Sequence, residues 1–269
     1  MSGKDGNLLH RFDGGLACTR LGDVDSDGRS DFAIAYFGRV TSTLRWRPWV
    51  ASIVVYSGRS GAPAFEILGD SSGRECDLDL DGGNEFDGDG SPDLLVGSHK
   101  YNWGSKPSGR VRVDSGRSGN LLSNFDRSSM PERRAFEDDS FGEIVRWSSD
   151  LNGDGVPEIL VGAPEDGAFE GTAYVLSGRD GKPLHTIEGH CGVLVPGEPD
   201  RGDRHVGRTL SRAGDLDRDG VEDFLVGNHP YDLGQFGLVR AFSGASGCLL
   251  WSIDRDAVLR SNAKAVSAR

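Results

Sequence analysis

Residues 22–35 read GDVDSDGRSDFAIA. Asp23, Asp25, Asp27 and Asp31 crowd into nine positions with Gly28 among them, and an apolar run follows at once. Carboxylates this close repel one another unless something offsets their charge. The same pattern, acid-x-acid-x-Asp-Gly-x-x-acid, returns three times: Glu85, Asp87, Asp89, Gly90, Asp93; Asp150, Asn152, Asp154, Gly155, Glu158; and Asp215, Asp217, Asp219, Gly220, Asp223. First positions lie 62, 65 and 65 residues apart, and the copies lead into FAIAYF, LLVG, ILVG and FLVG.

A second tag, Ser-Gly-x-x-Gly, keeps a similar period, starting at Ser2, Ser57, Ser115, Ser177 and Ser243. The last four are flanked by short apolar segments such as SIVVY and PLHTI, the pattern of a β-hairpin around a glycine-bearing turn. With the segment before each acidic loop, every repeat holds four short strands, A to D, with the loop between A and B. Four-stranded units at this period predict an all-β fold, a β-propeller of stacked blades. The repeats span about 12–70, 71–126, 136–190 and 203–254, in a single propeller domain or part of one, with a tail at 257–269. The surplus tag at Ser2, running to about Phe12, reads as a C–D turn and strand D without strands A to C. That surplus predicts a slice of a longer propeller, or one that self-associates through an open blade edge.

The acidic loop has the chemistry of a cation cage. Positions 1, 3 and 5 set oxygens on the inside of a turn, and the glycine at position 6 permits a positive φ. Position 7 (Arg29, Ser91, Val156, Val221) can offer its carbonyl, and the acid at position 9 can close the cage, even through both oxygens. Such an all-oxygen set suits calcium, with about four sites expected. An EF-hand needs a bidentate Glu at position 12, where this chain has Ile34, Val96, Val161 and Val226. The four loops hold fifteen of the 42 acids, so cations would offset much of the net charge of −12. Asp77, Asp79, Asp81 and Glu85 fit the spacing in a second register, which allows one extra site.

The Phe141-Gly142 before the third loop and the Val161-to-Pro164 stretch after it resemble the FG-GAP repeat of integrin alpha-chain propellers. The resemblance runs from residue 2 to about 254. It is strongest in the third and fourth repeats; the first lacks Gly-Ala-Pro and the second has a poor strand A. It implies calcium in the A–B loops, an extracellular or cell-surface setting, and ligand binding on the face of the B–C and D–A loops. There the loops carry Trp46, Trp49, Tyr101, Trp103, Phe169, Tyr231 and Phe236, candidates for that binding face. The tripeptide Arg201-Gly202-Asp203 lies in a D–A loop.

The remaining features bound the function. The negative charge argues against nucleic acid, and no stretch reaches the roughly 20 apolar residues of a membrane span. The opening MSGKDGNLLHRFDGG lacks the basic start and apolar run of a signal peptide. Cys18, Cys76, Cys191 and Cys248 show no zinc spacing and read as buried free thiols. Six histidines form no catalytic motif, and the recurrent GRSG is a hairpin turn, not a nucleophile elbow. The chain reads as a non-enzymatic, calcium-binding interaction module for a protein or glycan ligand. The alternative is the propeller portion of a larger secreted enzyme or carbohydrate-binding protein.

Overall fold

A computed structural model describes residues 5, 7–37, 51–69, 78–99, 109–130, 139–189, 204–228 and 237–254. Sixteen strands form four antiparallel sheets of four strands, each meandering in chain order. Blade 1 comprises β1 (Gly15–Gly22), β2 (Asp31–Phe37), β3 (Ala51–Tyr56) and β4 (Pro63–Leu68). Blade 2 comprises β5 (Leu78–Asn84), β6 (Asp93–Ser98), β7 (Arg110–Asp114) and β8 (Leu121–Asp126). Blade 3 comprises β9 (Ile144–Trp147), β10 (Ile159–Ala163), β11 (Thr172–Leu176) and β12 (Pro183–Glu188), with the one-turn helix α1 (Asp166–Phe169) between β10 and β11. Blade 4 comprises β13 (Thr209–Gly214), β14 (Asp223–Gly227), β15 (Leu238–Phe242) and β16 (Leu249–Asp254). This is a β-propeller with four blades.

The second strand of each blade is apolar on both faces because a blade has two neighbours. In β10, Ile159 and Val161 point into the core shared with blade 2, while Leu160 points into the core shared with blade 4. The contacts repeat as ladders: Ala33, Leu95, Leu160 and Leu225 occupy one position, and Ile53, Val111, Ala173 and Val239 another. Each fully buried Leu, Ile or Val contributes about 1.5–3 kcal/mol, so stacking holds the blades together. The innermost strands pack in sequence, β1 on β5, β5 on β9 and β9 on β13; among the described residues no comparable packing joins β13 to β1. The far face of blade 4 accordingly leaves Val239, Trp251 and Ile253 exposed.

Glycines meet backbone to backbone where consecutive blades touch. A Cβ on Gly97 would lie 2.2 Å from the Gly142 carbonyl, and one on Gly162 would lie 2.2 Å from the Gly207 carbonyl. Gly142 and Gly207 themselves have positive φ and face the carbonyls of Arg110 and Thr172. Phe141-Gly142 of blade 3 and Val206-Gly207 of blade 4 thus nest on the Val-Gly element of the blade before each. Blade 1 has Ala35 at the position of Gly97, and no Phe-Gly precedes β5; the two departures seen in sequence are the two sides of one interface.

Four expectations need correction. The second repeat has a full strand A, because Asp79 and Asp81 of β5 serve as hydrogen-bond acceptors for blade 3. Asp79 Oδ2 accepts from Val145 N at 2.9 Å and Arg146 Nη1 at 2.6 Å, and Asp81 Oδ2 accepts from Trp147 N at 2.8 Å. Those carboxylates are therefore turned to β9, away from an extra cation site; Asp77 lies outside the described residues. The thiols of Cys18 and Cys248 are free but exposed, and Cys76 and Cys191 lie outside the described residues. Residues 7–13 form no strand, yet they stack where strand D of a preceding blade would. His10 lies against Gly61 as His185 of β12 lies against Gly247, and Phe12 packs on Phe32 and Tyr56 at centroid distances of 5.2 and 4.6 Å.

A buried ionic clasp joins blades 2 and 3. Arg127 pairs with Asp139, and its Nη2 lies 3.6 Å from Asp166 Oδ1. Asp166 Oδ2 accepts from the Thr172 hydroxyl at 2.8 Å and the Tyr174 hydroxyl at 3.0 Å. Removing one partner of such a network strands a buried charge.

The glycine contacts predict unequal costs for a single methyl group. Gly207→Ala must displace backbone and is expected to cost roughly 2–4 kcal/mol. Gly155→Ala, at φ +87° with nothing within 4 Å, should cost only about 1 kcal/mol of backbone strain. Urea denaturation of the two variants checks this, and equal losses would refute the nesting argument.

Candidate functional site

Each acidic loop forms the turn from the first to the second strand of its blade. Its chain is shaped by its own side chains. In blade 1 Asp23 Oδ1 accepts from Asp27 N at 3.0 Å and Oδ2 from Gly28 N at 2.9 Å, while Asp27 Oδ1 accepts from Arg29 N at 2.9 Å. Asp215, Asp217 and Asp219 repeat these bonds in blade 4. Asp150, Asn152 and Asp154 do so in blade 3; in blade 2 Asp87 and Asp89 keep their bonds, while the longer Glu85 accepts from Gly88 N and Asp89 N. The glycine at position 6 has φ between +79° and +91° in all four loops. Position 4 is also left-handed, at Ser26, Gly88, Gly153 and Arg218, a requirement the varied residue types there concealed.

Carboxylate oxygens converge in every loop. Asp23, Asp25 and Asp27 bring ligand atoms within 4.8 Å of one another, as do Glu85, Asp87 and Asp93; Asp150, Asp154 and Glu158; and Asp215, Asp217 and Asp223. The donor set is oxygen only, and a hard divalent ion such as Ca²⁺ fits it.

The position-9 acid does more than close a cage. It is buried in every blade, as Asp31, Asp93, Glu158 and Asp223. Asp93 Oδ2 accepts from Phe86 N in the loop at 2.8 Å, and Oδ1 accepts from Gly116 N in the Ser-Gly turn at 3.0 Å. Asp31 joins Val24 N to Gly58 N, and Asp223 joins Leu216 N to Gly244 N, in the same way. The aspartates therefore turn one oxygen to the loop and the other to the hairpin. Glu158, one methylene longer, bonds Leu151 N and Asn152 Nδ2.

The Ser-Gly turn is the partner that sequence reading left out of the site. A Cβ on Gly58, Gly116, Gly178 or Gly244 would lie 1.8–2.1 Å from the carbonyl oxygen just before the position-9 acid. Only glycine lets the turn sit there. The next blade's turn also seats the apolar residue at position 2: Val24 on Gly116, Phe86 on Gly178 and Leu151 on Gly244. The fourth such residue, Leu216, is 42% exposed. An apolar residue at position 2 in all four loops was the available signal.

Arginines from the Ser-Gly turns reach the loops. Arg59 Nε lies 3.1 Å from Asp27 Oδ2, Arg117 Nε 3.8 Å from Asp89 Oδ2, and Arg179 Nε 3.2 Å from Asp154 Oδ2. Desolvation raises the Asp154 carboxyl, but the Val156 N–H, the Arg179 guanidinium and the Asn152 side chain together outweigh it and hold the group below its ordinary range. Burial prevails deeper in. It pushes Asp93 up to about 6 and Glu158 up to about 7, with nearby carboxylates adding to the rise.

On the opposite face, Phe169 is 51% exposed with φ +71°, its ring 5.7 Å from that of His205. A bulky residue with positive φ is a strained position. Trp46, Trp49, Tyr101, Trp103, Tyr231, Phe236 and the Arg201-Gly202-Asp203 tripeptide lie outside the described residues.

The fold and loops define a class, a β-propeller whose blades each carry an acidic A–B turn clasped by a Ser-Gly hairpin. Residues 141–176 match the FG-GAP repeat model. Integrin alpha-4 of Xenopus laevis is 29% identical over 147 residues, 53% of this chain and 13% of the relative. Integrin alpha-11 of Homo sapiens is 28% identical over 144 residues, 53% of this chain and 12% of the relative. Integrin alpha-PS2 of Drosophila melanogaster is 30% identical over 225 residues, 78% of this chain and 15% of the relative. Among solved structures, an exotype rhamnogalacturonan lyase superposes with a TM-score of 0.46 at 13% identity, over 88% of this chain and 49% of that one. The chain carries an FG-GAP repeat and resembles the integrin alpha-chain β-propeller, and it matches less than a sixth of the length of those integrin relatives.

The buried acids predict a pH effect. Their folded pKa values lie above the roughly 4 of an unfolded carboxyl, so the fold gains stability while they are protonated and loses it as pH rises through about 6 and about 7. In chelator, the melting temperature should fall between about pH 5 and about pH 8, and calcium should remove that fall by taking the proton's place. A chelated protein that instead gains stability across this window would contradict the assignment.

Proposed function

We propose that this chain is a calcium-binding, non-catalytic propeller that serves as an interaction module at an extracellular or cell surface. The observation that carries the reading is the recurrence, in all four blades, of clustered carboxylates at the same A–B turn. One ion per loop would be held by positions 1, 3, 5 and 9, with the carbonyls of Arg29, Ser91, Val156 and Val221 completing the set. Bound there, the ion supplies positive charge that offsets carboxylate repulsion; it takes no part in a reaction. Asp93 and Asp223 would then link ion, loop and hairpin, because their second oxygen is fixed by the Ser-Gly turn.

The surface for a protein or glycan ligand is the face of the B–C and D–A loops. The resemblance to integrin alpha chains supports this choice, as do the exposed, strained Phe169 and the aromatic content of the loops holding Trp46, Trp49, Tyr101, Trp103, Tyr231 and Phe236.

Binding to the folded state alone raises stability by mass action. Calorimetric titration of chelated protein should count about four Ca²⁺, with dissociation constants on the order of 10⁻⁴–10⁻³ M as in extracellular modules. The melting temperature should rise in millimolar Ca²⁺, and Asp217→Ala should remove one equivalent. A melting curve and heat signal indifferent to calcium would reject the reading. Replacing Trp46 and Trp49 by Ala should weaken capture on a glycan array or by candidate protein ligands while the calcium count stays the same.

A further inference from the structure

The four loops share an aspartate at position 5 but differ in what faces it. The third residue of the Ser-Gly turn is Arg59, Arg117 and Arg179 in blades 1 to 3, and Ala245 in blade 4. Each arginine reaches the position-5 carboxylate of its own blade's loop, at 3.1, 3.8 and 3.2 Å. Arg59 Nη2 also donates to the Asp27 carbonyl at 2.6 Å, and Arg179 Nη2 donates to the Asp154 carbonyl. Asp219, the position-5 acid of blade 4, has its Oδ1 on Val221 N, as its counterparts do. Among the described residues no ion pair reaches Asp219, and Arg218 beside it in the loop pairs with no acid. The backbone beneath is the same, because Gly244 meets the Glu222 carbonyl as Gly58 meets that of Ser30. Beside the position-5 carboxylate, the blades thus differ in whether a turn guanidinium is seated there, not in the bonds that shape the loop.

We propose that the third residue of the Ser-Gly turn sets the cation affinity of the loop beside it, so that blade 4 binds a divalent cation first and most tightly. This rests on the reading of the loops as cation sites. In blades 1 to 3 the guanidinium neutralises part of the cluster, holds the loop when no cation is present, and repels an incoming cation. In blade 4 no guanidinium is seated on the position-5 carboxylate, since Arg218 of that loop forms no ion pair among the described residues, so an incoming cation meets Asp219 unopposed. The arginines are more than half exposed, so solvent screens them and the effect is modest. A unit charge at this range acting on a divalent ion near the surface corresponds to roughly threefold to tenfold in affinity.

The test is calorimetric titration of the full chain with Ca²⁺ at low salt. The wild type should show one tight site and a weaker class, and Asp219→Ala should delete the tight one. Ala245→Arg, at an exposed position that takes arginine in the other blades, should weaken that site about threefold to tenfold while keeping the stoichiometry. Replacing Arg59, Arg117 and Arg179 by Ala should bring the weaker class up to the tight one. Raising the salt to about 1 M should shrink all of these differences, because surface charges are then screened. Calcium binding with equal sites, unmoved by Ala245→Arg, overturns this inference and leaves the proposed function standing. No calcium binding in any variant overturns both.

Discussion

The buried carboxylate at the start of each blade's second strand holds one backbone N–H of the acidic loop and, in three blades, one of the Ser-Gly turn. Burying that charge is costly unless it is hydrogen-bonded on both sides. In blade 2, Asp93 meets the demand with Phe86 N and Gly116 N. The bond fixes the hairpin between the third and fourth strands against the turn between the first and second, so that one edge of the blade becomes a rigid unit. It also explains the glycine in the hairpin, whose α-carbon lies on a loop carbonyl with no room for a side chain. The same turn then receives the apolar position-2 residue of the preceding blade. Loop shape, hairpin position and blade stacking are consequences of one clamp.

Blade stacking accounts for where the repeats depart from one another. The Phe-Gly and Val-Gly glycines occur as facing partners, Gly97 with Gly142 and Gly162 with Gly207, since each is needed only where backbones meet. At the interface of blades 1 and 2, Ala35 stands in the glycine position and β5 has no Phe-Gly before it. Blade 2 instead spends Asp79 and Asp81 on the backbone of β9. Their acids, next to a cation loop in sequence, belong energetically to the joint with blade 3. At the ends of the stack the residues keep their pattern and lose their cover, as Leu216 and Val239 show.

The two faces of the propeller carry different physics. The A–B loops and Ser-Gly turns gather most of the clustered acid and the arginines that partly balance it. The B–C and D–A side is braced by the buried Arg127, Asp139 and Asp166 clasp and presents Phe169 to solvent. A cation on the first face and a ligand on the second would act through separate surfaces joined by the same stacked strands.

The repeat, the four-stranded unit and the position of each acidic loop were legible in the residues, because periodic acids, glycines and apolar runs are local features. The apolar position 2 was equally visible, but its meaning was not, since its partner is a turn about 90 residues on. The same holds for Asp79 and Asp81, which fit a cation loop by spacing and are turned elsewhere by the neighbouring blade. The sequence by itself determined that the chain would fold into repeated β units with an oxygen-rich turn in each. Only the tertiary structure decided which carboxylates converge on one point, which serve as backbone partners, and which position-5 acids meet an arginine of the Ser-Gly turn. Those outcomes depend on atoms brought together by stacking, and no spacing along one chain encodes them locally.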